Sequence, residues 1–168
     1  ANRGYHVAAT KWAHRLFYGQ KIPPDESTAI TLLVRTLVTD PTPMADAIAL
    51  VAFAYGYGRG VTRDVGPAFK WAKWAADKGS TDAKFQMGLQ YLVGQGVDRD
   101  PIAGYVHVLS AAVRGHAEAR IVAATCQAAG EGTARDVLTA IKEFEAVTAE
   151  GKDAVGNARF GLAMIKLG

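Results

Sequence analysis

Apolar residues recur at helical spacing along the chain, in segments that end at glycine or proline. In residues 5–18, Ala8, Trp12 and Leu16 follow one another at intervals of four, which is typical of one face of an α-helix. The same spacing continues from about residue 27 to residue 38 and through the rest of the chain, and no strand is predicted. The pattern therefore predicts an all-helical protein.

The loops between these segments repeat with a fixed period of 36 residues. A Gly-x-Gly turn followed by Arg-Asp occurs three times, and a further glycine closes each unit at the same interval. A constant period between about 20 and 50 residues indicates a repeat architecture. The repeat marks are Gly58, Gly60, Asp64, Gly79, Gly94, Gly96, Asp100, Gly115, Gly130, Gly132, Asp136 and Gly151. They predict repeats at 44–79, 80–115 and 116–151 and a terminal helix at 152–168, all within a single repeat domain spanning 1–168.

The repeat marks have a structural explanation. Glycine adopts the left-handed conformation that ends a helix, and an aspartate before the next helix caps its N-terminus. We therefore interpret the Arg-Asp pair as a cap, with the arginine joining the loops of neighbouring units. The alternative is that the three pairs are matched contact points for a repetitive ligand.

Residues 1–43 are predicted to form a degenerate first repeat. Tyr18 precedes Tyr55 by 37 residues and Asp25 precedes Asp64 by 39, and the Gly-x-Gly loop is interpreted as replaced by Pro23-Pro24. Terminal repeats are expected to be atypical because one side has no neighbour.

Charge is unevenly distributed along the chain. The net charge is +3, with ten Lys/Arg and six Asp/Glu in residues 1–79 but three Lys/Arg and six Asp/Glu in residues 116–151. A solenoid with this sequence would have a basic end and an acidic stretch. The single cysteine, Cys126, excludes an intrachain disulfide.

No catalytic or metal-binding pattern is found. The four histidines lack the i, i+4 spacing of a helical zinc site, and no nucleophile elbow or phosphate-binding loop is present. We expect His107, which occupies the position of Trp71, to be packed in the core, and Cys126 to be a buried, unreactive thiol. The sequence thus predicts no catalytic residues, metal or cofactor, and no enzyme activity.

The repeat marks resemble the Sel1-like repeat (SLR), a member of the tetratricopeptide superfamily. The best matching unit contains Tyr55, Gly58, Gly60, Val61, Asp64, Ala68, Trp71, Ala75, Ala76 and Gly79. The second and third units depart from the family pattern, since His107 and Glu143, respectively, replace Trp71. The resemblance implies a right-handed α-solenoid of antiparallel helix pairs, about four pairs plus a final helix.

The resemblance also implies a role and a binding surface. Family members are mostly bacterial adaptors that hold other proteins, and the first helix of each pair lines a concave groove. Helical spacing places the following residues along that groove, as predicted partner contacts: Asp46, Leu50, Phe53, Tyr57, Asp82, Gln86, Leu89, Gln90, Glu118 and Val122.

The main hypothesis is therefore a scaffold or adaptor for a protein or peptide, without membrane insertion and with a periplasmic or secreted location slightly favoured. Two alternatives stay open: a helical-repeat nucleic-acid binder, which the acidic stretch disfavours, and an envelope carbohydrate-binding or exopolysaccharide-related regulator. Homodimerisation through the terminal helix is a further alternative.

Overall fold

The computed structural model describes residues 3–39 and 45–150, together with residues 156, 159, 161–163 and 165. All regular structure in these residues is helical, as predicted. The helices are α1 Arg3–Tyr18, α2 Glu26–Thr39, α3 Ala45–Tyr57, α4 Val65–Asp77, α5 Thr81–Val93, α6 Pro101–Val113, α7 Ala117–Ala129 and α8 Val137–Ala149. The predicted terminal helix at 152–168 lies mostly outside the described residues.

The chain folds as two compact units, Ala1–Ala83 and Lys84–Gly168. In the first unit α1 packs on α2, α2 on α3, and α3 on α4. In the second unit α6 packs on α7 and α7 on α8. Gly88 of α5 lies so close to α6 that a Cβ there would meet Val108 Cγ2 at 2.5 Å. Small residues thus let the helices approach closely within each unit.

Each loop is closed within its own repeat by a glycine and an arginine that recur at the same positions. The first glycine of every loop is left-handed, with φ of 71°, 72° and 76° at Gly58, Gly94 and Gly130. The loop arginine then donates from Nε to a carbonyl in the last turn of the preceding helix. The three matched bonds are Arg63 to Gly56, Arg99 to Leu92 and Arg135 to Ala128, at 3.0, 2.9 and 3.0 Å.

The aspartates of the Arg-Asp pairs are helix caps, as predicted. Asp64, Asp100 and Asp136 accept backbone N–H bonds from the first turns of α4, α6 and α8. Asp25 caps α2 in the same way, with Thr28 N at 2.9 Å. Hydrogen bonds from the Thr139 side chain and backbone hold the pKa of Asp136 below its usual value. The arginines were predicted to join neighbouring loops, but each bonds mainly to the end of the helix that precedes it. Of the three, Arg99 also donates to Glu131 in the next loop.

The second glycine of the loop meets the preceding helix pair. Gly60 and Gly132 have φ of 72° and 71°. A Cβ at Gly60 would overlap the backbone carbonyl of Glu26, the first residue of α2, and one at Gly132 would overlap that of Pro101, the first residue of α6. Any side chain at these positions is therefore excluded by both backbone conformation and space.

The interpretation of the first repeat loop was wrong. Lys21 has φ of 62° and is the one described non-glycine residue with a positive φ. It stands 39 residues before Gly60, and Gly19, at φ 66°, stands 39 before Gly58. The turn Gly19-Gln20-Lys21 therefore takes the place of Gly-x-Gly, and the two prolines follow it. Lys21 is exposed, so its side chain has room at the position that glycine occupies in the later loops.

In the third repeat, which lacks the aromatic marks, ion pairs join α7 and α8 beside a hydrophobic core that contains Phe144. Glu143, at the position of Trp71, accepts hydrogen bonds from Arg120 of α7 at 3.2 and 3.1 Å. Arg120 also pairs with Glu150 at 2.5 Å. In the repeat before it, the ring of His107 stacks on Tyr91 with the ring centroids 5.7 Å apart. His107 is thus packed against an aromatic ring, but it is only partly buried and does not belong to the core, where it was expected.

The two loop positions predict opposite effects of substitution. Lys21→Gly should stabilise the chain by about 1 kcal/mol, because it relieves a left-handed backbone that L residues adopt at a cost. Gly60→Ala should destabilise it by more than about 2 kcal/mol, because strain and overlap with the Glu26 carbonyl add. Urea unfolding measures both, and equal midpoints for the two variants would contradict this explanation.

Candidate partner-binding surface

Backbone hydrogen bonds fix which residues of the first helices are equivalent. In each repeat the N–H of the capping aspartate donates to the carbonyl nine residues earlier. The four bonds are Asp25 to Leu16, Asp64 to Tyr55, Asp100 to Tyr91 and Asp136 to Gln127, at 2.8 to 2.9 Å. Leu16 is therefore the counterpart of Tyr55, and Tyr18 is the counterpart of Tyr57. The predicted match of Tyr18 with Tyr55 is wrong by two residues.

This register reveals one repeated position with exposed apolar side chains. The residue immediately before the first glycine of the loop is Tyr18, Tyr57, Val93 and Ala129 in the four repeats. The three large side chains are 51%, 59% and 66% exposed, and Ala129 is also exposed. An exposed apolar side chain indicates a binding surface where it belongs to a contiguous patch, so this position is a candidate for contact with a partner.

The predicted partner contacts divide by their position along each helix. The positions near the helix ends, Asp46, Tyr57, Asp82 and Glu118, are exposed. The central ones, Phe53, Gln86, Leu89, Gln90 and Val122, are partly buried. Leu50 is only 6% exposed, because α3 packs against both α2 and α4 and is covered on two sides. Leu50 therefore supports the packing of α3 and offers little surface to a partner.

In the first unit the surface is a cluster of aromatic side chains, which we call the aromatic ladder: His14, Phe17, Tyr18, Phe53 and Tyr57. The ring of His14 lies 4.6 Å from Tyr18, and Phe53 lies 4.5 Å from Tyr57. These two pairs are equivalent, because 39 residues separate their members. The fully buried Phe17 contacts both Tyr18 and Phe53 and so joins the pairs.

An arginine holds the aromatic ladder against the loop. The guanidinium of Arg59 lies 4.8 Å from the centre of the Phe17 ring and forms an ion pair with Glu26. Arg59 is the middle residue of its Gly-x-Gly turn, so the same loop that joins the helix pairs also fixes Phe17. Sequence reasoning missed the ladder because the wrong register separated His14 and Tyr18 from Phe53 and Tyr57.

In the second unit the notable residue is Gln90 of α5. Its Oε1 is buried and has no hydrogen-bond partner. A buried polar atom without a partner costs about 1 to 3 kcal/mol relative to a satisfied one. Gln90 belongs to the predicted contact set, but its Oε1 lies inside the packing and is not accessible to a partner.

The remaining reactive groups have structural surroundings. Cys126 is 3% exposed, and burial, followed by the charge of Glu131, raises its pKa to about 11. His116 begins α7 as its N-cap, accepting the Ala119 N–H at Nδ1 over 3.2 Å, as Ser80 does for α5. Among the described residues no three His, Cys, Asp or Glu side chains form a group that could hold a metal ion. None of the described helices is long and apolar enough to cross a membrane.

Comparison with known families identifies the repeat. The family model described as the Sel1 repeat matches residues 6–35, 45–80 and 81–116, which together are more than half of the chain. The match includes the degenerate first repeat. No curated protein matches the chain.

Solved structures share the fold over almost the whole chain. A Sel1 repeat protein from Oxalobacter formigenes is 20% identical, with a TM-score of 0.77 over 94% of this chain. A protective antigen present in uropathogenic Escherichia coli strains, which displays an SLR fold, is 22% identical, with a TM-score of 0.82 over 98% of this chain. The matches cover 63% and 34% of those two chains. The predicted fold class, an α-solenoid of helix pairs, is thereby confirmed.

The raised pKa predicts an unreactive thiol. At pH 8 only about a thousandth of Cys126 is thiolate, so Ellman's reagent should modify the native chain at least ~100-fold more slowly than the chain in guanidinium. Because the folded pKa of Cys126 lies above the unfolded value, the buried neutral thiol contributes to stability. That contribution is complete below about pH 8.5 and is lost as the pH rises towards 11. Equal rates in the native and unfolded chains would contradict the burial.

The unsatisfied oxygen predicts that an apolar substitution stabilises the protein. Gln90→Met, which is similar in volume, should raise the free energy of unfolding by about 1 kcal/mol because no buried acceptor then lacks a partner. Gln86→Met, one turn earlier on α5, is the matched control and should change it by less than about 0.5 kcal/mol. A loss of stability in Gln90→Met, measured by urea unfolding, would show that Oε1 is satisfied in solution.

Proposed function

The chain belongs to the Sel1 repeat family, and from that premise we propose that it is a scaffold that holds another protein by a peptide segment along its first helices. Sel1 repeats generally mediate protein–protein interaction, and Sel1 repeat scaffold proteins are generally non-enzymatic. The partner and the place of contact are the proposal. We also propose a bacterial origin, since both solved relatives are bacterial. A periplasmic or secreted location stays an expectation from the family resemblance.

The observation that carries the proposal is the repeated exposed position formed by Tyr18, Tyr57 and Val93. Covering about 100 Å² of apolar surface on one such side chain is favourable by about 2.5 kcal/mol before the costs of association. Tyrosine also keeps a hydroxyl for hydrogen bonding, which is why it is frequent in protein interfaces. Because Tyr18 and Tyr57 occupy this position in successive repeats of the first unit, a partner can use the same kind of anchor twice there.

Two further features suit a peptide. The aromatic ladder gives the first unit a firm apolar surface, since Phe17 and Arg59 hold its rings in place. Lys11 and Arg15, both exposed on α1, add positive charge that favours a segment containing carboxylates.

The test uses a displayed library of random twelve-residue peptides selected on the intact chain. Selected peptides, synthesised and measured by fluorescence polarisation, should bind Tyr57→Ala about tenfold or more weakly than the unaltered chain, because an aromatic anchor is lost. Trp12→Ala is the matched control. Trp12 is an aromatic residue on α1, 49% exposed, outside the repeated position, and its loss should change affinity by less than about threefold.

Two outcomes would contradict the proposal. Selected peptides that bind Tyr57→Ala and Trp12→Ala equally well would place their site elsewhere. Binding of single-stranded RNA that weakens steeply with salt, with no peptide selected, would support the nucleic-acid alternative instead.

A further inference from the structure

A second apolar surface lies on α6, on a face that the helix packing does not use. It consists of Ile102, Val106, Leu109 and Val113, which we call the α6 seam. Their side chains are 68%, 57%, 38% and 81% exposed. The opposite face of α6 is the buried one, with Gly104, Val108, Ala111 and Ala112 in the core of the second unit. The helix is therefore apolar on two faces.

The repeat itself does not require an apolar seam. The equivalent residues of α4, 36 positions earlier, are Gly66, Lys70, Lys73 and Asp77, and those of α8 are Leu138, Lys142, Glu145 and Ala149. Three of the four positions in α4 and two in α8 are charged. Leu138, at the position of Ile102, is 74% exposed. In α2, the register of the capping aspartates makes Ser27, Thr31, Val34 and Val38 the equivalents, so α6 is the helix with large apolar residues at all four positions.

The spacing within the seam matches helix-to-helix pairing. Intervals of four, three and four residues are those of the core positions of a two-stranded coiled coil, and the seam extends about 16 Å along the helix. Val106 and Val113 then occupy the positions at which β-branched residues favour two strands, and Leu109 occupies the position at which leucine does. Beside the seam, Ala103 is small enough to let a second helix approach, whereas the Ser110 hydroxyl accepts a hydrogen bond from Lys84 of α5 at 3.5 Å.

We propose that the α6 seam is a self-association surface, in which α6 of one chain packs against α6 of a second copy around a two-fold axis. A two-fold contact brings each residue close to its own counterpart, so any charge on the helix would repel itself. None of the thirteen residues of α6 is Asp, Glu, Lys or Arg. The helix is therefore suited to meet a copy of itself.

The absence of charged residues in α6 also favours a second copy over other partners. A partner that binds through charged groups would find no residue of opposite charge on this helix. A helix lying on a membrane surface typically carries Lys or Arg on its polar side, which α6 lacks. The seam exposes on the order of 400 Å² per chain, about half of the ~800 Å² per partner of a standard interface, so the dimer is weak and concentration-dependent.

The experiment is sedimentation equilibrium of the 168-residue chain from about 5 to 500 µM, a range that covers micromolar dissociation constants. The unaltered chain should move from monomer to dimer. Val106→Lys and Val106→Glu should each weaken dimerisation more than about tenfold, because like charges then meet near the axis. Val106 is next to the middle of the seam, so its two copies come close whichever way the helices run.

Mixing the two variants provides the decisive measurement. Equal amounts of Val106→Lys and Val106→Glu should form a mixed dimer, since opposite charges now meet. Lys142→Glu, at the equivalent position of α8, is the matched control and should dimerise like the unaltered chain. Thermal unfolding checks that the variants fold, and Val113→Lys, at the most exposed position of the seam, replaces Val106→Lys if that variant does not.

Three results would overturn the proposal. They are a monomer throughout the concentration range, a dimer that both charge variants leave intact, and a mixture of the variants that stays monomeric. Binding of a monomeric chain to vesicles of phosphatidylcholine with one quarter phosphatidylglycerol, reduced by Val106→Glu, would assign the seam to a lipid surface and would overturn it equally.

Discussion

The structure depends on one close contact, in which the second glycine of a loop lies against the first turn of the preceding pair's second helix. At Gly60 and Gly132 the backbone of Glu26 or Pro101 occupies the space that a side chain would need. Backbone meets backbone there, so a side chain at either glycine would push the successive pairs apart. This explains why the loops are uniform while the helices differ in composition from repeat to repeat.

That uniformity made the repeat architecture predictable. Glycines that end helices and aspartates that begin them have short-range causes, so the period of 36 residues could be read directly. The register of the first repeat could not, because Lys21 holds a conformation that is ordinarily assigned to glycine. The substitute for Trp71 in the third repeat was equally hidden, since the pairing of Arg120 with Glu143 joins two helices and leaves no local pattern.

The candidate surface was predicted only in part, for the same reason. Helical spacing identifies which residues share a face, but it does not say how much of that face the neighbouring helices cover. Leu50 belongs to the predicted face and is buried by α2 and α4, whereas Tyr18 was missed through the register error and is exposed. The seam on α6 was missed because an apolar residue in an amphipathic helix is first assigned to the core. Only the burial of Gly104 and Val108 shows that the core uses the other face.

The closure of each loop by its own arginine and aspartate has a consequence for how such proteins evolve. The bonds from Arg63, Arg99 and Arg135, and the caps at Asp64, Asp100 and Asp136, join residues of the same repeat. A repeat that is duplicated or deleted as a whole period therefore keeps, or removes, its own helix-ending and helix-starting bonds. The contact that it must form with the preceding repeat is the one between its loop glycine and a backbone carbonyl. Recombination between repeats can then change the number of repeats without requiring new interactions in the loops. A feature such as the α6 seam can arise in a single repeat.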